Sequence, residues 1–313
     1  MTEKNIEKDP IYKNKKTGDG GNSKFHNRDF TDSNVIRDFR NFLNEESNKL
    51  LKELKQEYSL KEIEIKGVPA VWIDTSNSNK NKGVIIYLHG GGYMSGNVKN
   101  YCTIPIQLSN AIGIKVLSVD YGLAPEDPFP KGLEDALNIY EYLLEEGYSS
   151  NNIAIAGDSA GGGLAVATVL KLRDLGLDLP AALGLFSPWV DLTLKGDTIE
   201  TLKEYETILS KRQLEGSAKI YAGKEELDNP LISPIYANYK DFPPMMILAG
   251  SREVLLSDSM NLARKAALNN TTVNLIVWDN LYHVFAADSN LPESKEAIEA
   301  LGVFLLEKMN YKI

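Results

Sequence analysis

The sequence predicts an α/β fold, a mostly parallel central sheet flanked by helices and topped by a helical cap. Three observations carry this. Short, continuously apolar runs recur along the chain, the pattern of strands buried on both faces. Segments with helical spacing lie between most of them, and strands alternating with helices imply a mostly parallel sheet. The longest interruption, residues 190–241, is partly helical and has no strand run, so it reads as an insertion above the sheet.

Residues 1 to about 30 are rich in Lys, Asn, Asp and Gly with few apolar anchors, and read as a flexible N-terminal tail. Residues 31–313 read as one domain, with a cap drawn from about 31–58 and 190–241. Across Ser33–Tyr58 the spacing of Val35, Ile36, Phe39, Phe42, Leu43, Leu50, Leu51 and Leu54 predicts two short helices. Glu62–Ile65 and Ala70–Asp74 read as strands joined by a Gly67-Val68-Pro69 turn. Beyond a polar loop at Ser76–Lys82, buried strands are predicted at Gly83–Leu88, Lys115–Val119, Asn152–Ala156, Ala182–Phe186, Met245–Leu248 and Val273–Val277. The helices are Thr103–Ile112, Leu133–Glu146, Gly161–Leu175, Ser257–Leu268 and Pro292–Met309, with Thr198–Tyr205 and Ser210–Tyr221 in the insertion.

Charge and composition exclude several function classes. A net charge of −9 over 313 residues leaves the phosphate term repulsive, so neither nucleic acid nor an anionic membrane surface is an expected partner. No run approaches the ~18 apolar residues of a membrane span. Cys102 stands alone, so the fold does not depend on a disulfide, and a cytoplasmic location is the expectation. The three histidines, His26, His89 and His283, have no Cys/His cluster around them, so no metal is expected.

The chemistry concentrates in Gly157-Asp158-Ser159-Ala160-Gly161, a G-x-S-x-G sequence between a predicted strand and a predicted helix. In such an elbow the chain turns sharply, glycines avoid clash, and the serine hydroxyl projects above the sheet. A dinucleotide-binding turn would need G-x-G-x-x-G, which is absent. Upstream, His89-Gly90-Gly91-Gly92-Tyr93 follows a buried strand, and its glycines let backbone N–H groups face a developing oxyanion. The expected donors are Gly91, Gly92 and Ala160. His89 precedes the glycines and reads as a residue that braces the loop. Tyr93 is a candidate for lining the acyl pocket, whereas Trp189 and Trp278 read as core and Asp158 as a brace around the elbow.

These residues resemble the hormone-sensitive-lipase-like family of α/β-hydrolase carboxylesterases. Its H-G-G-G and G-D-S-A-G-G signatures stand at His89–Gly92 and Gly157–Gly162. Tyr121–Pro130, Ser187–Leu192 and Asn229–Ala237 match further segments in family order. The resemblance implies an α/β-hydrolase core and hydrolysis of small esters without a cofactor. It also implies an acid and a histidine after the last core strands, in the order Ser, acid, His. His283 is the only histidine downstream of Ser159. Ala249–Asp258 resembles the acid loop, with Glu253 as the carboxylate; Asp258, at a helix start, is expected to offset the helix dipole. The expected reaction is hydrolysis of short-acyl carboxylic esters through an acyl-enzyme on Ser159. Lactone hydrolysis and non-catalytic small-molecule binding on the same fold stay open as alternatives. Family habit adds a homodimer through self-pairing of Val273–Val277.

Overall fold

The computed structural model describes residues 25–75 and 83–309, so the Ser76–Lys82 loop and residues 1–24 lie outside the described part. The strands are β1 (Tyr58–Ile65), β2 (Val68–Thr75), β3 (Val84–Leu88), β4 (Lys115–Val119), β5 (Ile153–Asp158), β6 (Ala182–Phe186), β7 (Met245–Gly250) and β8 (Val273–Trp278). They form one sheet in the order β1-β2-β4-β3-β5-β6-β7-β8. β1 and β2 make an antiparallel hairpin, and β2 runs antiparallel to β4. Every later pairing is parallel. The hairpin turns at Lys66 and Gly67, both at positive φ, so Val68 and Pro69 belong to the strand and not to the turn.

The helices are α1 (Ser33–Glu53), α2 (Thr103–Ile112), α3 (Lys131–Glu145), α4 (Ser159–Asp174), α5 (Thr198–Thr201), α6 (Lys211–Ala222), α7 (Leu256–Leu268) and α8 (Pro292–Lys308). Side chains alternate across a strand, so Ile86 and Leu88 of β3 face the core shared with α3, α4 and α7. Ile85 and Tyr87 face the one shared with α2 and α8. β8 departs from its expected full burial. It is an edge strand, with β7 as its one partner among the described residues, and none of its residues is fully buried, Asn274 and Val277 being exposed.

Three expectations about the cap region are corrected. α1 is a single helix of 21 residues and not two short ones, because Asn44–Lys49 contains no proline or glycine to interrupt it. Tyr58 opens the first strand and so belongs to the sheet, not the cap. Residues 25–30 are not loose: Phe25 and Phe30 are buried with Val35, Ile36, Phe39, Phe42 and Met94 in a separate small core. The Phe30 and Phe39 rings meet edge to face at 5.1 Å. Phe30 also abuts Gly216 of α6, where an added Cβ would lie 2.7 Å from its own. These aromatic residues therefore link α1 to the insertion. Arg40 ties α1 to the sheet side, donating to the carbonyls of Met94 and Ala124 at 2.6 and 2.9 Å and pairing with Glu126.

Candidate active site

β5 delivers Ser159 to the middle of the sheet's C-terminal edge, and α4 starts on that residue, two positions earlier than the sequence suggests. Ser159 has φ +51, a left-handed conformation costly for a residue with a side chain. Such strain gathers where a scaffold must aim a functional group, and here it turns the hydroxyl out of the strand. Gly161 is required at the next turn: a Cβ there would lie 2.1 Å from the Leu88 carbonyl oxygen. β3 and the first turn of α4 can approach this closely only without a side chain.

Loops after β7 and β8 bring Glu253 and His283 to the same spot. The Ser159 Oγ lies 2.9 Å from His283 Nε2, and His283 Nδ1 lies 2.6 Å from Glu253 Oε2. All three side chains are buried. With Nδ1–H donating to the carboxylate, Nε2 is left as the acceptor for the serine hydroxyl. The other carboxylate oxygen, Oε1, accepts from the Gly250 N–H at 2.8 Å and the Ser187 hydroxyl at 3.0 Å. Burial pulls the His283 pKa down, but the hydrogen bond and charge of Glu253 outweigh it, helped by Glu206 and Asp158, and the net direction is up.

The loop between β3 and α2 lies beside this chain. Gly91 has φ +114, and its carbonyl accepts from the Ser95 N–H and hydroxyl and the Met94 N–H, which closes a tight turn. Asp158 holds the loop from below, its Oδ1 accepting from the Tyr87 hydroxyl at 2.7 Å and the Gly90 N–H at 3.0 Å. His89 is wholly buried, stacked on Tyr121 and hydrogen-bonded through Nδ1 to the Gly90 carbonyl; it touches neither Ser159 nor His283. Burial drives its pKa down, consistent with a neutral brace. Gly91, Gly92 and Ser159 all line one cavity of about 620 Å³, with Trp189, His283 and Leu214 among its walls. A carbonyl carbon near Ser159 would find a nucleophile, a base and backbone N–H groups within one cavity.

Tyr93 does not line this cavity. It is buried beneath the loop and stacked on Tyr221 at 3.8 Å, because its φ of +60 turns it inward. Trp189 does line the cavity, although it is fully buried from solvent. Asp258 also differs from expectation. It lies in the first turn of α7, but its Oδ2 accepts from the Val190 and Asp191 N–H groups at 2.9 and 2.8 Å, pinning the loop after β6. Its burial pushes the pKa up to about 8.

Two supporting residues escaped the sequence reading. Ser187 donates to Glu253 and accepts from the Val284 N–H at 3.1 Å, joining the acid and histidine loops. Glu206 accepts from Ile208 and Leu209 with one oxygen and from Val254 with the other, joining the insertion to the acid loop. Ser187 falls in a family-matching segment, which was a usable signal; Glu206 carries none, since its partners lie elsewhere in the fold.

A family model described as alpha/beta hydrolase fold matches residues 85–287. An acetyl-hydrolase of Streptomyces hygroscopicus is 39% identical over 71% of this chain and 74% of its own length. An esterase of Acinetobacter venetianus is 30% identical over 71% of this chain and 74% of its own. The crystal structure of an esterase from the bacterial hormone-sensitive lipase family superposes with a TM-score of 0.84 at 35% identity, covering 88% of this chain and 92% of the other.

Proposed function

This chain belongs to the α/β-hydrolase fold family, among its hormone-sensitive-lipase-like carboxylesterases, and from that premise we propose how its residues divide the reaction. Ser159 Oγ attacks the ester carbonyl carbon while His283 Nε2 takes the hydroxyl proton. Glu253 accepts the Nδ1–H bond and stabilises the imidazolium. The N–H groups of Gly91, Gly92 and Ala160 receive the oxyanion. The tetrahedral intermediate collapses as His283 returns the proton to the departing alcohol, leaving an acyl-Ser159 ester. A water molecule, deprotonated by His283, then attacks that ester; the acid is released and the hydroxyl restored.

The observation that carries this reading is the continuous hydrogen-bonded series from Ser159 through His283 to Glu253, with the glycine loop beside it. The bounded cavity supports a preference for short acyl groups, since added methylenes favour binding only until the space is filled. α1 and the insertion, both lining the cavity, support the reading of a cap over the sheet. A lactone offers the same carbonyl, and no observation favours it over open-chain esters. A lone, buried Cys102 supports a cytoplasmic enzyme, and the half-exposed edge strand β8 supports a homodimer. The test is labelling with a fluorophosphonate probe together with turnover of p-nitrophenyl butyrate. Labelling of the natural chain but not of Ser159→Ala is the expected result, and equal labelling of both would refute the assignment.

A further inference from the structure

The cavity contains a polar group that the proposed mechanism does not use. Gln213, in the first turn of α6, is 5% exposed and lines the cavity wall. Among the described residues its side-chain carboxamide makes no hydrogen bond, and Oε1 is buried without a partner. Its backbone N–H donates to the capping Ser210 hydroxyl. A buried amide oxygen without a partner costs free energy, and native folds satisfy nearly all such groups. Trp189, Leu209 and Leu214 line the same cavity, so a plain alkyl chain there would leave the amide oxygen unmatched.

Position relates Gln213 to the reacting ester. Ser217 lies four residues on, hence on the same face of α6, and it also lines the cavity. Its hydroxyl makes one weak contact, with the Met94 sulfur at 3.4 Å, and lies 3.2 Å from where a Cβ on Gly92 would be. A carbonyl oxygen seated at Gly91 and Gly92 lies near the Ser217 hydroxyl, and an acyl chain running along α6 from there passes Gln213. Gln213 is four residues, about 6 Å, further along the helix. A hydroxyl on the third acyl carbon, with one hydrogen bond of about 2.8 Å added, spans that interval. A hydroxyl both donates and accepts, so it satisfies either end of the carboxamide.

We propose that Gln213 determines substrate class, selecting esters whose acyl chain carries a hydroxyl at C3. The assignment rests on the reading of Ser159 as the nucleophile. It does not alter the chemistry: Gln213 binds a part of the substrate that neither gains nor loses a bond.

The test compares kcat/KM of the full chain for p-nitrophenyl butyrate and for each enantiomer of p-nitrophenyl 3-hydroxybutyrate. One enantiomer should exceed butyrate by about tenfold, the ratio expected of one well-placed hydrogen bond. In Gln213→Met, which keeps length and loses the carboxamide, that ratio should fall close to one, mostly through KM. Butyrate hydrolysed as well as both hydroxy esters by the natural chain would overturn the proposal while leaving the esterase intact, and that comparison needs no variant. A preference that survives Gln213→Met would overturn it equally. Hydrolysis of none of the three esters would remove the esterase reading and this assignment together.

Discussion

The Ser187 hydroxyl sits between the two loops that carry His283 and Glu253, donating to Glu253 Oε1 at 3.0 Å and accepting from the N–H that follows His283. Both carboxylate oxygens of Glu253 are therefore engaged by fixed donors, and the loop that carries His283 is tied to the same point. Ser187→Ala should leave the fold intact and lower kcat/KM by about tenfold, the effect of losing one buried hydrogen bond to a charged group. An unchanged rate in the folded variant would mean that Gly250 alone holds Glu253.

Ser159, His283 and Glu253 should behave as one unit. Ser159→Ala and His283→Ala should each reduce turnover of p-nitrophenyl butyrate by roughly 10⁴-fold or more, and the double variant should be no worse than either single one. Glu253→Gln should lower kcat by at least a hundredfold, through loss of the charge that stabilises the imidazolium. Additive losses in the double variant would contradict a shared role.

The acidic limb of the pH–rate profile should follow His283. A protonated imidazole cannot accept the serine proton, so activity falls as pH drops through its pKa. Because Glu253 outweighs the effect of burial and the net shift is upward, the midpoint should lie above the ordinary value of about 6.5. In Glu253→Gln it should move down. A limb that stays put when the carboxylate is removed would assign it to another group.

Asp258 should couple stability to pH in the unusual direction for an aspartate. Its folded pKa of about 8 exceeds the unfolded value near 4, so the fold holds the proton more tightly than the unfolded chain does. That contribution is complete below about pH 4 and is lost as pH rises through about 8. Asp258→Asn presents a neutral carbonyl acceptor to the Val190 and Asp191 N–H groups at every pH. Relative to the natural chain, the variant should gain on the order of 1–2 kcal/mol between pH 6 and 8, read from urea midpoints. A constant difference across that range would mean that Asp258 is ionised in the fold.

Removing residues 1–24 and removing residues 1–30 should have different consequences. The longer truncation deletes Phe25 and Phe30, two rings of the small core between α1 and α6. A single Phe30→Ala substitution should cost about 3 kcal/mol, the usual effect of emptying a buried aromatic site. Thermal unfolding checks this. A melting temperature unaffected by Phe30→Ala would show that α1 holds its place without that core.

How much was legible in the sequence depends on the range of the forces involved. The buried strands, the crossover helices, the elbow at Ser159 and the glycine loop at Gly91 and Gly92 are local statements. Period, apolar runs and the absence of a Cβ act within a few residues, so the linear order carries them. His283 and Glu253 are proposed from chain order and family resemblance, since the fold requires acid and histidine to follow the last strands.

What only the tertiary structure decided concerns partners distant in the chain. Tyr93 sits next to the glycines yet turns inward against Tyr221; Asp258 looks like a helix-start residue yet binds a loop 67 and 68 positions away. Phe25 and Phe30 fall in a polar stretch of sequence, and only the fold brings Phe39, Phe42 and Gly216 against them. The unmatched carboxamide of Gln213 is likewise invisible in sequence, where every glutamine is assumed to meet water. Burial and hydrogen-bond satisfaction depend on which surfaces meet after folding, and that information is absent from the spacing of residues along the chain.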